Sequence, residues 1–577
     1  MWWAPAIALA TLLAYLPALR AGFVFDDHVL VEGNRFLRGP LWKAWFTTGP
    51  TDFWPVTWTA FWLEWRLCGE QAWGYHLANV ALHAVAAILL WVVLRRLRVP
   101  GAGLAGLLFA VHPVAVESAA WISEQKNTLS AVLVECAVLA WLAFDDDRRR
   151  WRYALALALY GLALLAKASV VTAPLVLLGI ALARKHRIDR RDLALTAPFF
   201  ALSVVVGLVN IWFQSRNAMA GGWAPPRGLG ERLGGAAWAL LSYLKNALVP
   251  TRLAFVYPAW PVEPDSILFY VPVGVIVLAV GLAAWAFSRR AWVRTCCWGL
   301  GYHFVQVLPI LGLVDMAFLA IAPVSNHLQY LALMGPATLA GVGFAALAKR
   351  YGRAVWSAAG VLVFGLAATT FHRAQAFEDD LALWTTAVRE APSSAYAHIQ
   401  LAGEYMERGD PRSAVPELER AAILAREPGD RHRLRALAFL YSDQTGEALV
   451  EARAAIRQGG NPDLRRDAAV VLVQAGEANE AIPVLRALAI AAPGASDYTY
   501  WLAAALSHAG RTDEAVQVLL AWCRERPGHP RMEQTLAVLL ARTGRKAEAR
   551  ERAARVLDVE PRDPRAEAQL EEWLRGQ

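Results

Sequence analysis

The feature that most constrains this chain is a series of eleven apolar runs, each close to the length that crosses a lipid bilayer. In a bilayer core, backbone N–H and C=O groups must bond within the embedded structure itself, so segments of this length form helices. We therefore predict an all-α fold with a polytopic membrane helix bundle of about eleven spans. The predicted spans are residues 2–19, 76–94, 101–116, 128–144, 151–166, 169–184, 192–212, 267–287, 294–314, 328–347 and 353–371.

Short basic runs between the spans predict their orientation. Cytoplasmic loops of membrane proteins carry the excess of Lys and Arg. If all the runs are cytoplasmic, the N-terminus is cytoplasmic as well, and an odd number of spans sends the C-terminus to the other side. The formal net charge of +8 arises largely in these loops, so nucleic acid is not a predicted partner. The basic runs are residues 95–98, 148–152, 184–191, 289–294 and 349–353.

One apolar segment, residues 234–249, is not counted among the spans. It begins with two glycines, contains Lys245 and reaches only about three-quarters of the spanning length. Counting it would also place the basic run at 289–294 outside. We predict that it forms an interfacial or re-entrant helix in an extracytoplasmic loop covering residues 221–261.

A repeat of 34 residues follows the membrane segment. Gly476, Gly510 and Gly544 recur at this spacing. The same spacing relates Ala481, Ala515 and Ala549, and it also relates Pro493, Pro527 and Pro561. This period is typical of tetratricopeptide repeats, which stack helix pairs into a superhelix with a concave binding face. We predict a membrane domain at 1–375 and a repeat α-solenoid at 376–577, with a degenerate repeat near 431–462.

Ionisable residues outside the basic runs fall on one predicted membrane face, the extracytoplasmic one. Polar groups at a membrane boundary are costly unless they are solvated or paired, so their concentration is a site hypothesis. Hydrated loop charge is the alternative for Asp26 and Asp27, and headgroup contact is the alternative for Lys167. The residues are Asp26, Asp27, His112, Glu117, Glu124, Lys126, Lys167, Arg232, Lys245, Arg252 and His327.

Four stretches carry a resemblance to a known family. They are FDDHVLVEGN after the first span, HPVAVESAAWISEQKNTLS in the second outer loop, AKASVVTAP around Lys167, and YLKNALVPTRLAFVYP from residue 243. Together with the repeats they resemble the transmembrane and tetratricopeptide-repeat (TMTC-like) proteins, which are C-type (GT-C) lipid-sugar-dependent O-mannosyltransferases, and especially their bacterial relatives. The resemblance covers nearly the whole chain.

The resemblance implies an inverting glycosyltransferase that moves a sugar, mannose in the best-known members, from a polyprenyl phosphate to Ser or Thr of a protein. It implies an active site on the periplasmic face of a bacterial inner membrane, with the repeats binding the acceptor or a partner protein. A first-loop carboxylate would accept the hydroxyl proton. We predict Asp26 for this role by analogy with related enzymes, with Asp27 as the alternative.

Cations of the same face would stabilise the leaving lipid phosphate. Lys167, Arg232, Lys245 and Arg252 are the candidates for this role, and His327 is grouped with them. The second outer loop contributes His112, Glu117, Glu124 and Lys126. The sequence shows no required cofactor and no metal-binding motif. Binding of a divalent ion by Asp, His and Glu side chains from separate loops is the alternative.

Two departures from the family pattern limit this interpretation. Asn326 precedes His327 where the family usually has Asp, and Gln125 and Asn127 stand where charged residues are common. An alternative function is a membrane-anchored repeat scaffold without catalytic activity. A transporter of lipid-linked sugars is a third hypothesis, but it predicts mid-membrane charges and inverted repeats, and neither is evident.

Overall fold

The computed structural model of the chain describes residues 2–46, 52–216, 227–526 and 529–557, and every regular element in these ranges is helical. The predicted all-α class is therefore confirmed. The chain divides into two compact units, Met1–Pro392 and Ser393–Gln577. Pro527, Pro561 and the beginning of the loop predicted from residue 221 lie outside the described residues.

The first unit contains seventeen described α-helices. They are α1 Trp3–Ala14, α2 Arg35–Arg38, α3 Trp42–Phe46, α4 Pro55–Cys68, α5 Ala72–Arg96, α6 Ala102–Ala110, α7 Val116–Ala120, α8 Gln125–Asp147, α9 Arg150–Ala166, α10 Ala173–Lys185, α11 Arg190–Arg216, α12 Leu229–Leu248, α13 Val271–Phe287, α14 Ala291–Val307, α15 Met334–Tyr351, α16 Arg353–Ala374 and α17 Asp380–Glu390. Helix α17 belongs to this unit although the sequence pattern placed the domain boundary at 375, because its Trp384 packs on Phe255 with 5.5 Å between ring centroids.

The number of spans stays a prediction. All eleven predicted segments contain helix, but among the described residues six helices are long and apolar enough to cross a membrane, or seven if one bent pair counts as a single span. The interfacial candidate α12 is not among them. The six are Ala72–Arg96, Ile122–Asp147, Ala168–Lys185, Arg190–Ser215, Ile267–Phe287 and Arg353–Phe377, and the bent pair is Ala102–Ala110 with Pro113–Ala120.

Prolines shorten several of the predicted spans. Proline supplies no N–H for a helical hydrogen bond, and it pushes the residue before it towards an extended conformation. The predicted run 101–116 is broken at Pro113, where His112 is extended and the two halves meet at 49°. Helix α1 ends shortly before Pro17, and α14 ends shortly before Pro309. At each of these breaks the chain continues as a short 3₁₀ helix instead of an α-helix.

Glycine contacts hold α15 against its neighbours. A Cβ atom at Gly101 would lie 2.0 Å from the carbonyl oxygen of Gly341, and one at Gly335 would lie 2.4 Å from that of Gly299. Neither position can accept a side chain without moving a backbone. Membrane helices that pack through small residues in this way gain close backbone contact, because lipid supplies little hydrophobic drive between helices.

The second unit is a run of antiparallel helix pairs. Each pair is closed by a left-handed residue after its first helix: Gly409, Gly476, Gly510 and Gly544 all have positive φ, and Asp443 takes this place in the degenerate repeat with φ 60°. Asp tolerates this conformation better than most residues, which explains why the pair forms without its glycine. The helices are α18 Ala395–Glu407, α19 Pro411–Leu424, α20 Pro428–Tyr441, α21 Thr445–Gln458, α22 Pro462–Gln474, α23 Ala478–Ala491, α24 Ser496–His508, α25 Thr512–Glu525, α26 Pro530–Arg542 and α27 Lys546–Leu557.

Small residues form the helix crossings of this unit, as the 34-residue period predicted. Ala414, Ala448, Ala481, Ala515 and Ala549 are all completely buried. Alanine lets paired helices approach closely without the entropic cost that glycine brings to a helix interior. The predicted tetratricopeptide-type solenoid is thus confirmed.

Candidate active site

The adjacent aspartates Asp26 and Asp27, in the loop after α1, have different surroundings. Asp27 is completely buried, and both of its carboxylate oxygens accept hydrogen bonds. Oδ1 accepts from the backbone N–H of Ser123 at 2.7 Å and from the Ser123 hydroxyl, while Oδ2 accepts from the Val24 N–H at 3.1 Å. Burial raises the pKa of Asp27 to about 7, although these hydrogen bonds act in the opposite direction. Asp27 therefore links the loop after α1 to the segment before α8.

Asp26 keeps its carboxylate open. It is partly exposed, and no residue in the described ranges donates a hydrogen bond to its side chain. Burial raises the pKa of Asp26, while the positive charges of Lys126 and His327 oppose the increase and Glu124 adds to it. A carboxylate with a raised pKa and no internal donor is suited to accept a proton from a bound hydroxyl. The geometry thus separates the two candidates that the sequence left almost equal.

A buried charge cluster lies beside Asp26 and centres on Glu124. Its Oε1 is 2.7 Å from Lys126 Nζ, and its Oε2 accepts from Lys167 Nζ at 3.0 Å and from the Asn127 amide at 2.6 Å. His327 Nε2 lies 3.8 Å from Glu124 Oε1. All of these side chains are almost fully buried. Glu124 therefore holds two buried ammonium groups at one place, beside the Asp26 carboxylate.

An aromatic ring and a third acidic residue complete the cluster. Lys126 Nζ lies 4.5 Å from the centre of the Trp54 ring, an attractive cation–π geometry. Asp52 accepts from the Gln214 side chain at 2.8 Å. Burial raises the pKa of Asp52, and Lys126 and Lys167 are near enough to oppose that shift. Neither Trp54 nor Asp52 is among the site residues predicted from the sequence.

Glu117 organises the loop before α15. Its Oε1 accepts from the Asn326 side-chain amide at 2.7 Å, and its Oε2 accepts from the His327 backbone N–H at 3.1 Å and the Ser325 hydroxyl at 3.3 Å. The Asn326 amide also donates to the Ala254 carbonyl at 3.0 Å. These bonds place the His327 ring next to Glu124. Asparagine suits position 326 because it donates to a carboxylate, which an ionised aspartate cannot do.

Replacing Asn326 by Asp is expected to reduce stability by about 2 to 4 kcal/mol, because it puts two buried carboxylates in contact. The measurement is thermal unfolding of the purified protein at pH 7. The double variant N326D/E117Q restores one donor to the contact and is expected to recover most of the loss. An N326D protein as stable as wild type would contradict this account of the asparagine.

The other predicted site residues lie apart from this cluster. His112 accepts from the Val114 N–H and donates to the Ala247 carbonyl, each at 3.2 Å, so it stabilises the bend at Pro113. Arg232 pairs with Asp315 at 2.6 Å. The structure therefore leaves His112 and Arg232 outside the group. The residues that it brings together are Asp26, Asp27, Glu117, Glu124, Lys126, Lys167 and His327.

Two predicted phosphate-binding cations, Lys245 and Arg252, are exposed. In the part of the chain that the structure describes, neither makes a side-chain hydrogen bond or ion pair. Likewise, no three His, Cys, Asp or Glu side chains within the described ranges are arranged to hold a metal ion. The ammonium groups of the buried cluster are those of Lys126 and Lys167.

The surroundings of His28 predict a pH dependence of stability. Hydrogen bonds to Asp380 and Glu32 raise the pKa of His28 to about 10. A histidine with a raised pKa in the folded protein contributes stability below its unfolded pKa of about 6.5, and this contribution is lost as pH rises from there towards 10. Because the ring is 44% exposed, we expect only about 1 kcal/mol after solvent screening. When unfolding is measured from pH 6 to 10, the free energy of unfolding is expected to fall more steeply for wild type than for H28Q. Parallel curves for the two proteins would contradict this role of His28.

Two parts of the chain match the sequence models of known families. The sequence model of the family described as dolichyl-phosphate-mannose-protein mannosyltransferase matches residues 54–212, and that of the tetratricopeptide repeat matches residues 466–530. The first match includes Trp54, Glu124, Lys126 and Lys167. The second lies within the solenoid.

Curated relatives match over a limited region. The chain is 35% identical over 186 residues to the protein O-mannosyl-transferase Tmtc1 of Drosophila melanogaster, which is 29% of this chain and 21% of that protein. It is 32% identical to Tmtc2 of the same organism, over 28% of this chain and 20% of that one. TMTC3 of Mus musculus is 32% identical over 22% of this chain and 15% of its own. Each match spans about a fifth of the relative's length or less, and the resemblance that the motifs predicted is confirmed over that part.

Solved structures of tetratricopeptide-repeat proteins are similar to about a third of the chain. The TPR protein YrrB, described with an unusual peptide-binding site, is 20% identical over 33% of this chain and 97% of that chain, with a TM-score of 0.23. A thermophilic TPR protein of Thermus thermophilus, TTC0263, is 19% identical over 31% of this chain and 98% of its own, with a TM-score of 0.27.

Proposed function

We propose that this chain, which is similar over part of its length to protein O-mannosyl-transferases, transfers a mannosyl group from a polyprenyl-phosphate donor to Ser or Thr of a protein acceptor. The observation that carries the proposal is the open carboxylate of Asp26 beside a buried cluster that holds two lysines on one glutamate. The enzyme is an inverting glycosyltransferase of the C-type, and it acts on the extracytoplasmic face of a bacterial inner membrane.

Asp26 acts as the general base. As the acceptor hydroxyl oxygen forms its bond to the anomeric carbon, its proton passes to the Asp26 carboxylate. The bond between the anomeric carbon and the phosphate oxygen breaks, and the electron pair leaves with the lipid phosphate. A single displacement inverts the configuration and requires only one carboxylate as base. Asp27 is not assigned to this step, because it is completely buried and its oxygens accept hydrogen bonds from Val24 and Ser123.

Lys126 and Lys167 stabilise the phosphate as negative charge develops on it. In a buried site such fixed charges act strongly and need little reorganisation during the reaction. Glu124 keeps the two ammonium groups paired and in place when no donor is bound, since an unpaired buried charge is costly. The donor phosphate then shares these cations with Glu124. Arg232, Lys245 and Arg252 are not assigned to this step.

The solenoid supplies a surface for the acceptor or for a partner protein. Stacked repeats of this kind form extended concave binding faces. The alternative, a membrane-anchored scaffold without catalysis, gives no reason for lysines to be buried beside an open carboxylate. Buried ionisable groups in a membrane protein are expensive and mark functional sites by default.

The test is sugar transfer by the full chain in sealed proteoliposomes. Radiolabelled mannosyl-phosphopolyprenol is supplied in the bilayer, and Ser- and Thr-containing peptides are supplied on one side of the membrane. We expect labelled glycopeptides only when the peptide faces the Asp26 side, and none with D26N. If no polyprenyl-phosphate sugar is transferred from either side while the repeats still bind a protein, the scaffold is the better explanation.

A further inference from the structure

The residue directly before the proposed base has an unusual backbone. Phe25 has a φ of 51°, in the left-handed region that bulky side chains seldom occupy. Such a conformation persists only where surrounding contacts impose it, and conformations of this kind cluster at functional sites. The direction in which Asp26 leaves the backbone depends on this turn. The contacts that impose it are therefore part of how the base is placed.

Asp380, 355 residues away in sequence, makes the central contact. Its Oδ1 accepts from the Phe25 N–H at 2.7 Å. Its Oδ2 lies 2.7 Å from Nε2 of His28, whose other ring nitrogen lies 2.6 Å from Glu32. One carboxylate thus holds the residue before Asp26 and, through His28, the turn that follows Asp27.

Two further contacts come from the same segment. The backbone N–H of Gly22 donates to the Glu378 carbonyl at 2.9 Å. The buried Trp384 ring meets the Phe25 ring edge to face, with 5.1 Å between centroids. Phe255 and Trp121 close the remaining sides of the Phe25 ring at 6.2 and 5.8 Å. Backbone, carboxylate and aromatic contacts all act on the same left-handed turn.

Helix α17 does not need Asp380 for its own formation. The cap is its neighbour Asp379, whose side chain accepts from the Ala382 N–H at 2.8 Å. The Asp380 side chain is directed to the first outer loop instead, and only 16% of it is exposed.

We infer that Asp380 is a positioning residue for the proposed base: it holds the left-handed turn at Phe25 and thereby fixes the direction of the Asp26 carboxylate. The inference rests on the proposed function and adds to it a residue from outside the loops of the active site. Asp380 itself does not contact substrate. Its effect is on geometry, which matters because small displacements of a reacting group reduce rate steeply.

The experiment compares D380A and D380N with the matched control D379N in the full chain. D379N neutralises the adjacent carboxylate but keeps a good helix cap. We expect D380A to lower kcat on the order of 30-fold to 100-fold, with KM for donor and peptide changed by less than about twofold. D380N keeps an oxygen for the Phe25 N–H and is expected to lose about tenfold or less. D379N is expected to retain wild-type kcat.

Hydrogen exchange of the Phe25 amide provides a second readout that needs no activity. We expect exchange in the peptide covering residues 22–28 to increase at least about tenfold in D380A and to stay unchanged in D379N. Unchanged exchange in D380A, or increased exchange with normal kcat, would overturn the inference. If D380A fails to fold, kcat and hydrogen exchange are both measured on D380N instead, and a D380N protein that is wild type in both would overturn the inference. A wild-type protein that transfers no sugar would refute the proposed function, while the exchange measurement would still report whether Asp380 holds the turn.

Discussion

Replacing Asp26 by Asn is expected to lower kcat by about 10³-fold or more, with little loss of stability. The amide has nearly the same shape as the carboxylate but cannot accept the hydroxyl proton. Asp26 accepts no hydrogen bond from any described residue, so its replacement leaves no described donor unsatisfied. The measurement is single-turnover transfer from the labelled donor, with a thermal unfolding curve for the same preparation.

The matched variant D27N is expected to show the opposite pattern. Both oxygens of Asp27 accept hydrogen bonds, so a side-chain NH₂ must face either the Val24 N–H or the Ser123 donors. One buried donor is then left unsatisfied, at a cost of about 2 to 3 kcal/mol. We expect reduced thermal stability and, in the protein that remains folded, a smaller loss of kcat than in D26N. If D26N is fully active, or if the two variants exchange these effects, the assignment of the base is wrong.

Replacing Glu124 by Gln is expected to produce the largest loss of stability, about 3 to 5 kcal/mol, because it leaves two buried ammonium groups without their counter-charge. The double variant E124Q/K167M removes one of these charges and is expected to recover roughly half of the loss. Denaturation of the four proteins in the cycle measures the coupling. A double variant no more stable than E124Q would contradict the proposed pairing.

The same cycle separates stability from donor binding. K167M alone leaves Glu124 paired with Lys126, so it is expected to fold. It removes one of the two proposed phosphate contacts and is expected to raise KM for the lipid donor about tenfold. We expect E124Q/K167M to fold better than E124Q without regaining wild-type transfer.

Periodicity and hydropathy allowed much of the fold to be predicted. The eleven apolar runs all contain helix, and the 34-residue spacing located the helix pairs of the solenoid. Helix ends were less predictable, because Pro17, Pro113 and Pro309 interrupt segments whose hydropathy continues past them. The predicted domain boundary at 375 stays a prediction; α17 follows the last predicted span and belongs to the first compact unit.

Site residues could be predicted where both the residue type and its position in a loop indicate a site. Residues that only three-dimensional contacts bring to the site could not. Loop assignment grouped Asp26, Glu124 and Lys126 on one face, and the structure brings them together. Sequence could not separate Asp26 from Asp27, because the difference lies in hydrogen bonds to Ser123. Nor could it find Asp380, since a contact across 355 residues leaves no local pattern.

The bond between Asp27 and Ser123 has a consequence for how this chain can change over generations. A mutation at either position leaves the other with an unmatched buried group, so single steps are costly and paired steps are tolerated. The two loops therefore cannot change independently, although Asp27 and Ser123 are 96 positions apart in the sequence. Position 26 has no such companion among the residues that the structure describes. In a mutagenised population selected only for folding, we expect Asp26 to be lost freely, whereas Asp27 and Ser123 are kept or replaced together.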